Sequence, residues 1–417
     1  ALLPYYIGGL RLVGPHRSLW AGGTWDQRDS SYYWFTLTLA RVGNLVFALL
    51  LFLVVYRWSF LLHGRWAALA ACALMACCPN LIAHSSLATL DIGATASTVA
   101  AAFFFWRWSE HPGWRYCLAS AVVFGLAVLS KFSALVFLAP LGVAYLVTAR
   151  WRSWTSAGCC NGANFLGRLK RLKRAAVFVA VAAVTVWAGY SFDVGRLAPG
   201  GHRFSTGYYE SPFGTDPNTA SWFLARVVGN RVVPAPRFWQ GLIDVFSHNH
   251  SGHRAYLLGR RSLHGWWYYF PVAVAVKTTL PLLLLVGMSL AWAVSGRSGG
   301  PRPGILYPLL GVAAVIGTSM TANLNIGIRH VLPVYPFFAI LASSLFREPA
   351  RIRALALILL VWHGAESALA HPDYLPYFNQ IARAREEKFL LDSNLDWGQD
   401  LARLGRYVQQ HQIAVVQ

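Results

Sequence analysis

Five residues in this 417-residue chain carry charge or a titratable ring where the surrounding sequence is apolar: Asp91, Lys131, Lys277, Arg329 and His330. Charge at membrane depth is expensive, so each is a candidate for chemistry. Asp91 lies in PNLIAHSSLATLDIGATA, at the start of a stretch of small residues. A carboxylate there suits a general base or a metal ligand. It equally suits a helix N-cap, where aspartate accepts orphan backbone N–H groups. Lys131, in LAVLSKFSALVF, can hold an anionic phosphate as a point charge or snorkel to the interface. Lys277, in FPVAVAVKTTLP, sits too deep in its apolar run for a comfortable snorkel and reads as paired or ligand-facing. Arg329 and His330 occur in NLNIGIRHVLPVYP, stiffened by Pro333 and Pro336. Arginine suits bidentate phosphate contact, and the competing reading is contact with lipid headgroups.

A second group lies in the long loop 193–267, which is rich in aromatics, His, Gly and Pro. Its His248-x-His250-x-x-His253 spacing can ligate a metal, but it lacks a carboxylate partner and is a weak signal. His264 and Trp266 follow in RRSLHGWWYY, where flat aromatic faces suit either sugar rings or the aromatic belt at the start of a span. Asn249-His250-Ser251 matches the N-glycosylation sequon, which has meaning only in a eukaryotic secretory pathway.

Composition says what must position these groups. Hydrophobic residues are 56% and charged residues 12%, against the ~25% charged residues of soluble domains. This excludes disorder, collagen and a secreted disulfide scaffold, and points to an all-α polytopic membrane protein. A helix needs ~20 apolar residues to cross a bilayer. Ten candidate spans are expected near 35–56, 66–83, 90–106, 116–131, 132–149, 175–192, 268–294, 305–323, 333–346 and 354–370.

Lys and Arg number 36 against 16 acids, a net charge of +20. Placement decides what this means. Arg57 and Arg65, Arg107 and Arg115, the run GRLKRLKRA at 167–175, Arg297 and Arg302, and Arg347 to Arg353 fall on one side of the expected bundle. Asp26, Asp29, Asp91, Asp193, Glu210, Asp216, Asp244 and Asp373 fall on the other. By the positive-inside rule the basic side is cytoplasmic, both ends lie outside, and the five charged candidates gather at the outer face. The run 167–175 then reads as a topology determinant rather than a nucleic-acid patch, so no nucleic acid is expected as a partner. Of the six cysteines, Cys72, Cys77, Cys78, Cys117, Cys159 and Cys160, none is expected outside, so no disulfide framework is implied. The adjacent Cys159–Cys160 lacks a second pair for zinc. No internal repeat is visible.

Residues 1–34 hold no basic n-region or signal-peptide core, and the chain ends on the apolar run IAVV. Both ends read as cut. The last piece, DSNLDWGQDLARLGRYVQQHQIAVVQ, reads as a turn, a helix over 398–410 and a strand, the start of a small α/β soluble tail.

The run PNLIAHSSLATLDIGATASTVAAAFFFWRW followed by WRYCLASAVVFGLAVLSKFSALVFLAP resembles the GT-C superfamily of membrane glycosyltransferases. More closely it resembles the bacterial branch related to dolichyl-phosphate-mannose protein mannosyltransferases and lipid A aminoarabinose transferases. YLLGRRSLHGWWYYFPVAVAVKTTLP, NIGIRHVLPVYPF and HPDYLPYFNQIA…LLDSNLDWGQDL resemble further blocks, so the likeness covers about 35–410. It implies an outer segment 1–34, a transmembrane glycosyltransferase domain 35–370 and the beginning of an outer soluble domain over 371–417. It implies sugar transfer from a polyprenyl-phosphate carrier to a glycan, lipid or protein acceptor at the outer face of the inner membrane. Asp91 matches the second acidic position of the family, at its catalytic cleft. Lys131, Lys277, Arg329 and His330 fall in family blocks and are assigned to the lipid phosphate. His248, His250, His253, His264 and Trp266 are assigned to the acceptor or sugar loop. No cofactor is assigned, and a divalent cation is the one the reading admits.

There is a departure. The family's first acidic motif, commonly Asp-Glu, follows an N-terminal span, and WDQRDSSYYW around Asp26 and Asp29 does not match it. Two alternatives therefore stay open: a catalytically inactive scaffold, and a transporter or flippase of a lipid-linked saccharide. A transporter places its charges and broken helices at mid-membrane, whereas here the charges collect at one face.

Overall fold

The computed structural model describes residues 30–156, 165–197, 231–295 and 303–413. Outside them lie residues 1–29, the Cys159–Cys160 pair, Arg297 and Arg302, the STGYYESPFGTDP stretch of the long loop, and the terminal run beyond Ile413.

The apolar runs fold as helices because in lipid only an internally satisfied backbone is tolerated. In chain order they are α1 (Ser30–His63), α2 (Arg65–Ala76), α3 (Pro79–Ser86), α4 (Asp91–Glu110), α5 (Trp114–Ser130), α6 (Ser133–Ser156) and α7 (Phe165–Gly189). Within the long loop lies α8 (Pro236–Ser251), and after it come α9 (Tyr269–Lys277), α10 (Leu280–Val294), α11 (Pro303–Ser319), α12 (Val334–Ser343) and α13 (Ala350–Leu369). A last helix, α14 (Leu401–Gln410), follows a stretch of turns.

The expected count of ten spans is not reproduced. Among the described residues, four helices are long and apolar enough to cross a membrane, in α1, α6, α7 and α13, or up to six if two bent pairs each count once. The expected span 66–83 is α2 and α3, bent by 64°. The expected span 268–294 is α9 and α10, bent by 112°. Hydropathy reads the apolar run and is blind to the break. Pro79 and Pro281 open the second helix of each pair, where proline's missing N–H costs nothing. Span nine is also different in kind. Every residue of α12 is buried, against α2, α10 and α11, so it is an internal helix rather than a lipid-facing one.

Lipid tails are as apolar as leucine, so packing rather than water exclusion joins these helices. Trp58 is fully buried, stacked on Trp106 with ring centroids 5.7 Å apart and edge-on to Phe337 at 5.9 Å. Gly125 brings α5 against α7: a Cβ there would lie 2.7 Å from the Thr185 Cβ.

The long loop contributes two small antiparallel hairpins, β1 (Val194–Arg196) with β2 (Val232–Pro234), and β3 (Ala255–Leu257) with β4 (Arg260–Ser262). The β3–β4 turn, Leu258-Gly259, has positive φ at both residues, the geometry that matches strand twist in a tight hairpin. Gly252 ends α8 at φ 79°, and a Cβ there would strike the Leu263 carbonyl. Only glycine lets α8 stop against this hairpin.

Residues 371–397 hold turns and short helices that run across one end of the bundle, the helix expected over 398–410 is α14, and the expected strand lies outside the described residues. Asn379 donates to the carbonyls of Ala275 and Thr278, at 2.6 and 2.7 Å, which the α9–α10 bend leaves without helical partners. The Glu366 carboxylate in α13 accepts from Trp362, Tyr377 and Gln380.

Candidate active site

Three of the five charged candidates converge. Asp91 opens α4, Lys131 directly follows α5, and Arg329 stands in the short turn Ile328–Val331 before α12. Since α4 and α5 are consecutive, the start of one and the end of the other share one end of the bundle. Asp91 is 4% exposed. Its Oδ1 accepts from Lys131 Nζ at 2.8 Å, and its Oδ2 lies 3.8 Å from the Arg329 guanidinium and 3.9 Å from His84 Nδ1. Asp91 is therefore not an N-cap. Leu90 holds that position, and no side-chain cap bond forms. Lys131 does not snorkel away either, because its ammonium is spent on the carboxylate.

The segment before Asp91 is fixed from α1. Asn44, 2% exposed, donates to the carbonyls of Leu87 and Thr89. Thr95 Oγ1 donates to the Asp91 carbonyl at 2.8 Å. The Arg329 guanidinium lies over the Trp397 ring, 4.1 Å from its centroid.

Among the described residues the charge sum of this cluster is uneven, with one carboxylate facing two cations. Several polar atoms at the site are also enclosed and lack hydrogen-bond partners: Asp91 Oδ2, Arg329 Nε, both ring nitrogens of His84, and His330 Nε2. Burial, then Lys131 and Arg329, hold the His330 imidazole well below its ordinary pKa, so it is neutral beside these cations. The carboxylate already faces two cations, and among the described residues no group of three His, Cys, Asp or Glu is placed to hold a metal.

Lys277 stands apart from this cluster. It is fully buried at the α9–α10 bend, and Nζ donates to the carbonyls of Leu375 at 2.7 Å and Asn394 at 2.8 Å, with the Phe378 ring centroid 4.4 Å away. Its partners are the carbonyls of Leu375 and Asn394.

The loop histidines do not form one group. His248 Nε2 and His253 Nδ1 are 3.4 Å apart, and burial, with His253 next, lowers the His248 pKa. His250 and His264 are exposed. Trp266 is half-buried, its backbone N–H held by Asn325 Oδ1 at 2.6 Å. His253 lines a cavity of ≈ 680 Å³ with Arg254, Tyr256, Arg261, Tyr269 and Asp392.

Residues 35–187 match the dolichyl-phosphate-mannose-protein mannosyltransferase family. The fold matches the crystal structure of ArnT from Cupriavidus metallidurans bound to undecaprenyl phosphate, with a TM-score of 0.52 and 17% identity over 82% of this chain and 52% of that one. The apo structure of the same protein matches with a TM-score of 0.50 and 17% identity, over 80% of this chain and 50% of that one. The chain shares its fold with these ArnT structures. It is a multi-pass membrane protein spanning about half the length of the ArnT chains it matches. No curated protein sequence matches it.

The family match covers Asp91 and Lys131, while Arg329 and His330 lie beyond it. Sequence reading missed three site residues. His84 stood seven positions before Asp91 in the same quoted run, on a helix whose bend could not be read. Asn44 lay in an apolar span and looked like a tolerated polar residue. Trp397 sat in the tail, far from Arg329 in sequence.

Proposed function

We propose that this protein transfers a sugar from a polyprenyl-phosphate carrier to an acceptor hydroxyl at the outer face of the inner membrane. The observation that carries the reading is the charge imbalance: Lys131 and Arg329 share one carboxylate, so one positive charge awaits an anion. In such a transfer the acceptor oxygen bonds to the anomeric carbon, the bond from that carbon to the phosphate oxygen breaks, and the leaving polyprenyl phosphate gains negative charge. Preorganised cations at a water-poor site stabilise that growing charge. Asp91 Oδ2, with no hydrogen-bond donor on it, takes the acceptor's proton while Oδ1 stays on Lys131. Neutral His330 beside the cations orients the phosphate without adding a third charge.

The ≈ 680 Å³ cavity is a candidate saccharide site, since its tyrosines offer flat faces and its arginines and Asp392 offer hydrogen bonds. The ArnT structure holds undecaprenyl phosphate, and the same carrier is the probe of choice here. The test is transfer from a panel of undecaprenyl-phosphate-linked sugars by the full chain in proteoliposomes. Lys131→Met and Arg329→Gln should each lower turnover by about 10²–10³-fold. Native turnover in both variants would sink the reading.

A further inference from the structure

The cation that awaits phosphate is held by a segment distant in sequence. The turn carrying Arg329 begins at Gly327, with φ 142°, and a Cβ there would lie 2.5 Å from Ser393 Oγ and 3.3 Å from Asn394 Oδ1. The two segments touch backbone to side chain. Asn394 Oδ1 accepts the Ile328 N–H at 3.0 Å, and Ser393 Oγ donates to the Ile326 carbonyl. Asn394 is itself fixed three ways. Its Nδ2 donates to Tyr269 Oη at 3.2 Å and to the Leu391 carbonyl at 3.0 Å, and its own carbonyl accepts from buried Lys277 at 2.8 Å. Three residues on, Trp397 lays its ring 4.1 Å from the Arg329 guanidinium carbon.

We propose that the strap 391–397 sets the position of the Arg329 guanidinium, with Asn394 placing its backbone and Trp397 its head group, so both are positioning residues for the phosphate cation. This rests on the phosphate reading of the site. The physical reason is that Arg329 has few other holds. Its Nε is enclosed with no partner, its nearest carboxylate oxygen is 3.8 Å away, and a guanidinium on a flexible stem loses affinity to rotamer entropy unless a flat face preorganises it. A stacked indole leaves the in-plane N–H donors free, so the ring holds the cation without competing with phosphate for its hydrogen bonds. Because the strap is pinned to α9 and its bend through the bonds of Asn394 to Lys277 and Tyr269, it ties the phosphate cation to the bundle.

The test is equilibrium binding of undecaprenyl phosphate to the full chain in proteoliposomes, with Trp397→Tyr, Trp397→Phe, Trp397→Leu, Arg329→Gln and the Trp397→Leu/Arg329→Gln pair. Affinity should fall in the order Trp, Tyr, Phe, Leu, reaching about tenfold at Leu. The pair should bind no more weakly than Arg329→Gln alone, because a ring that acts only through Arg329 has nothing left to position. If Trp397→Leu does not fold, the Tyr and Phe variants carry the same comparison. Equal affinity across the Trp397 series with weakened Arg329→Gln, or fully additive losses in the pair, overturns the positioning role and leaves the phosphate reading standing. Native affinity in Arg329→Gln overturns the phosphate reading itself.

Discussion

Replacing Asp91 by Asn removes one charge from a site that has two opposing ones. At an effective dielectric of ~20, the gross attraction is ~6 kcal/mol to Lys131 at 2.8 Å and ~4 kcal/mol to Arg329 at 3.8 Å. Desolvation offsets most of this, and breaking a buried pair typically costs ~3–5 kcal/mol because the partner is stranded. Lys131 and Arg329 keep 24% and 20% of their side-chain surface exposed, so water softens the penalty toward ~3 kcal/mol. The apparent melting midpoint in detergent should fall by about 3 °C. Undecaprenyl phosphate should then restore more stability to Asp91→Asn than it adds to the native chain, because it supplies the anion that two stranded cations lack. Sugar transfer should be lost. Two outcomes would refute the reasoning: an unchanged midpoint with an unchanged ligand response, or normal turnover in the Asn variant.

Three further outcomes are expected. Lys277→Met should strand the carbonyls of Leu375 and Asn394 at ~1–3 kcal/mol each, and limited proteolysis should then cut within 371–397 sooner than in the native chain. Gly125→Ala should cost ~1–3 kcal/mol by pushing α5 off Thr185 of α7, read as a lowered thermal midpoint with unchanged undecaprenyl phosphate affinity. The pKa of His330 is depressed in the folded state by burial, Lys131 and Arg329, with Asp91 opposing, so the unfolded chain binds its proton first. Stability should be full above about pH 6.5 and fall as pH drops below it, and His330→Gln should flatten part of that slope in thermal melts between about pH 7 and 5.

Much of the helical content was legible because long apolar runs have few ways to satisfy their backbone in lipid. α1, α6, α7 and α13 lie where hydropathy places them. The bends at Cys77–Cys78 and Thr278–Thr279 were not legible, since the flanking residues stay apolar and the proline that opens each second helix marks a start as readily as a break. α12 read as a span for the same reason: a helix buried in protein and one facing lipid have the same composition. At the site, Asp91, Lys131, Arg329 and His330 were legible as charges in costly places. The Lys277 assignment to phosphate was reasonable by that logic, yet its ammonium turned to carbonyls that the strap brings in from a hundred residues away.

By itself, the sequence determined the class of protein, the residue types available for holding a phosphate, and the end of the bundle at which they gather. These follow from local quantities: apolar length, charge placement and the cost of burying charge. Tertiary structure alone decided which cation meets which carboxylate, that His84 joins them, and that Arg329 rests on Trp397. Apart from His84, seven residues from Asp91 but across a helix bend, those contacts span about 40 to 240 residues of chain, set by how bent helices and a returning strap close on one another.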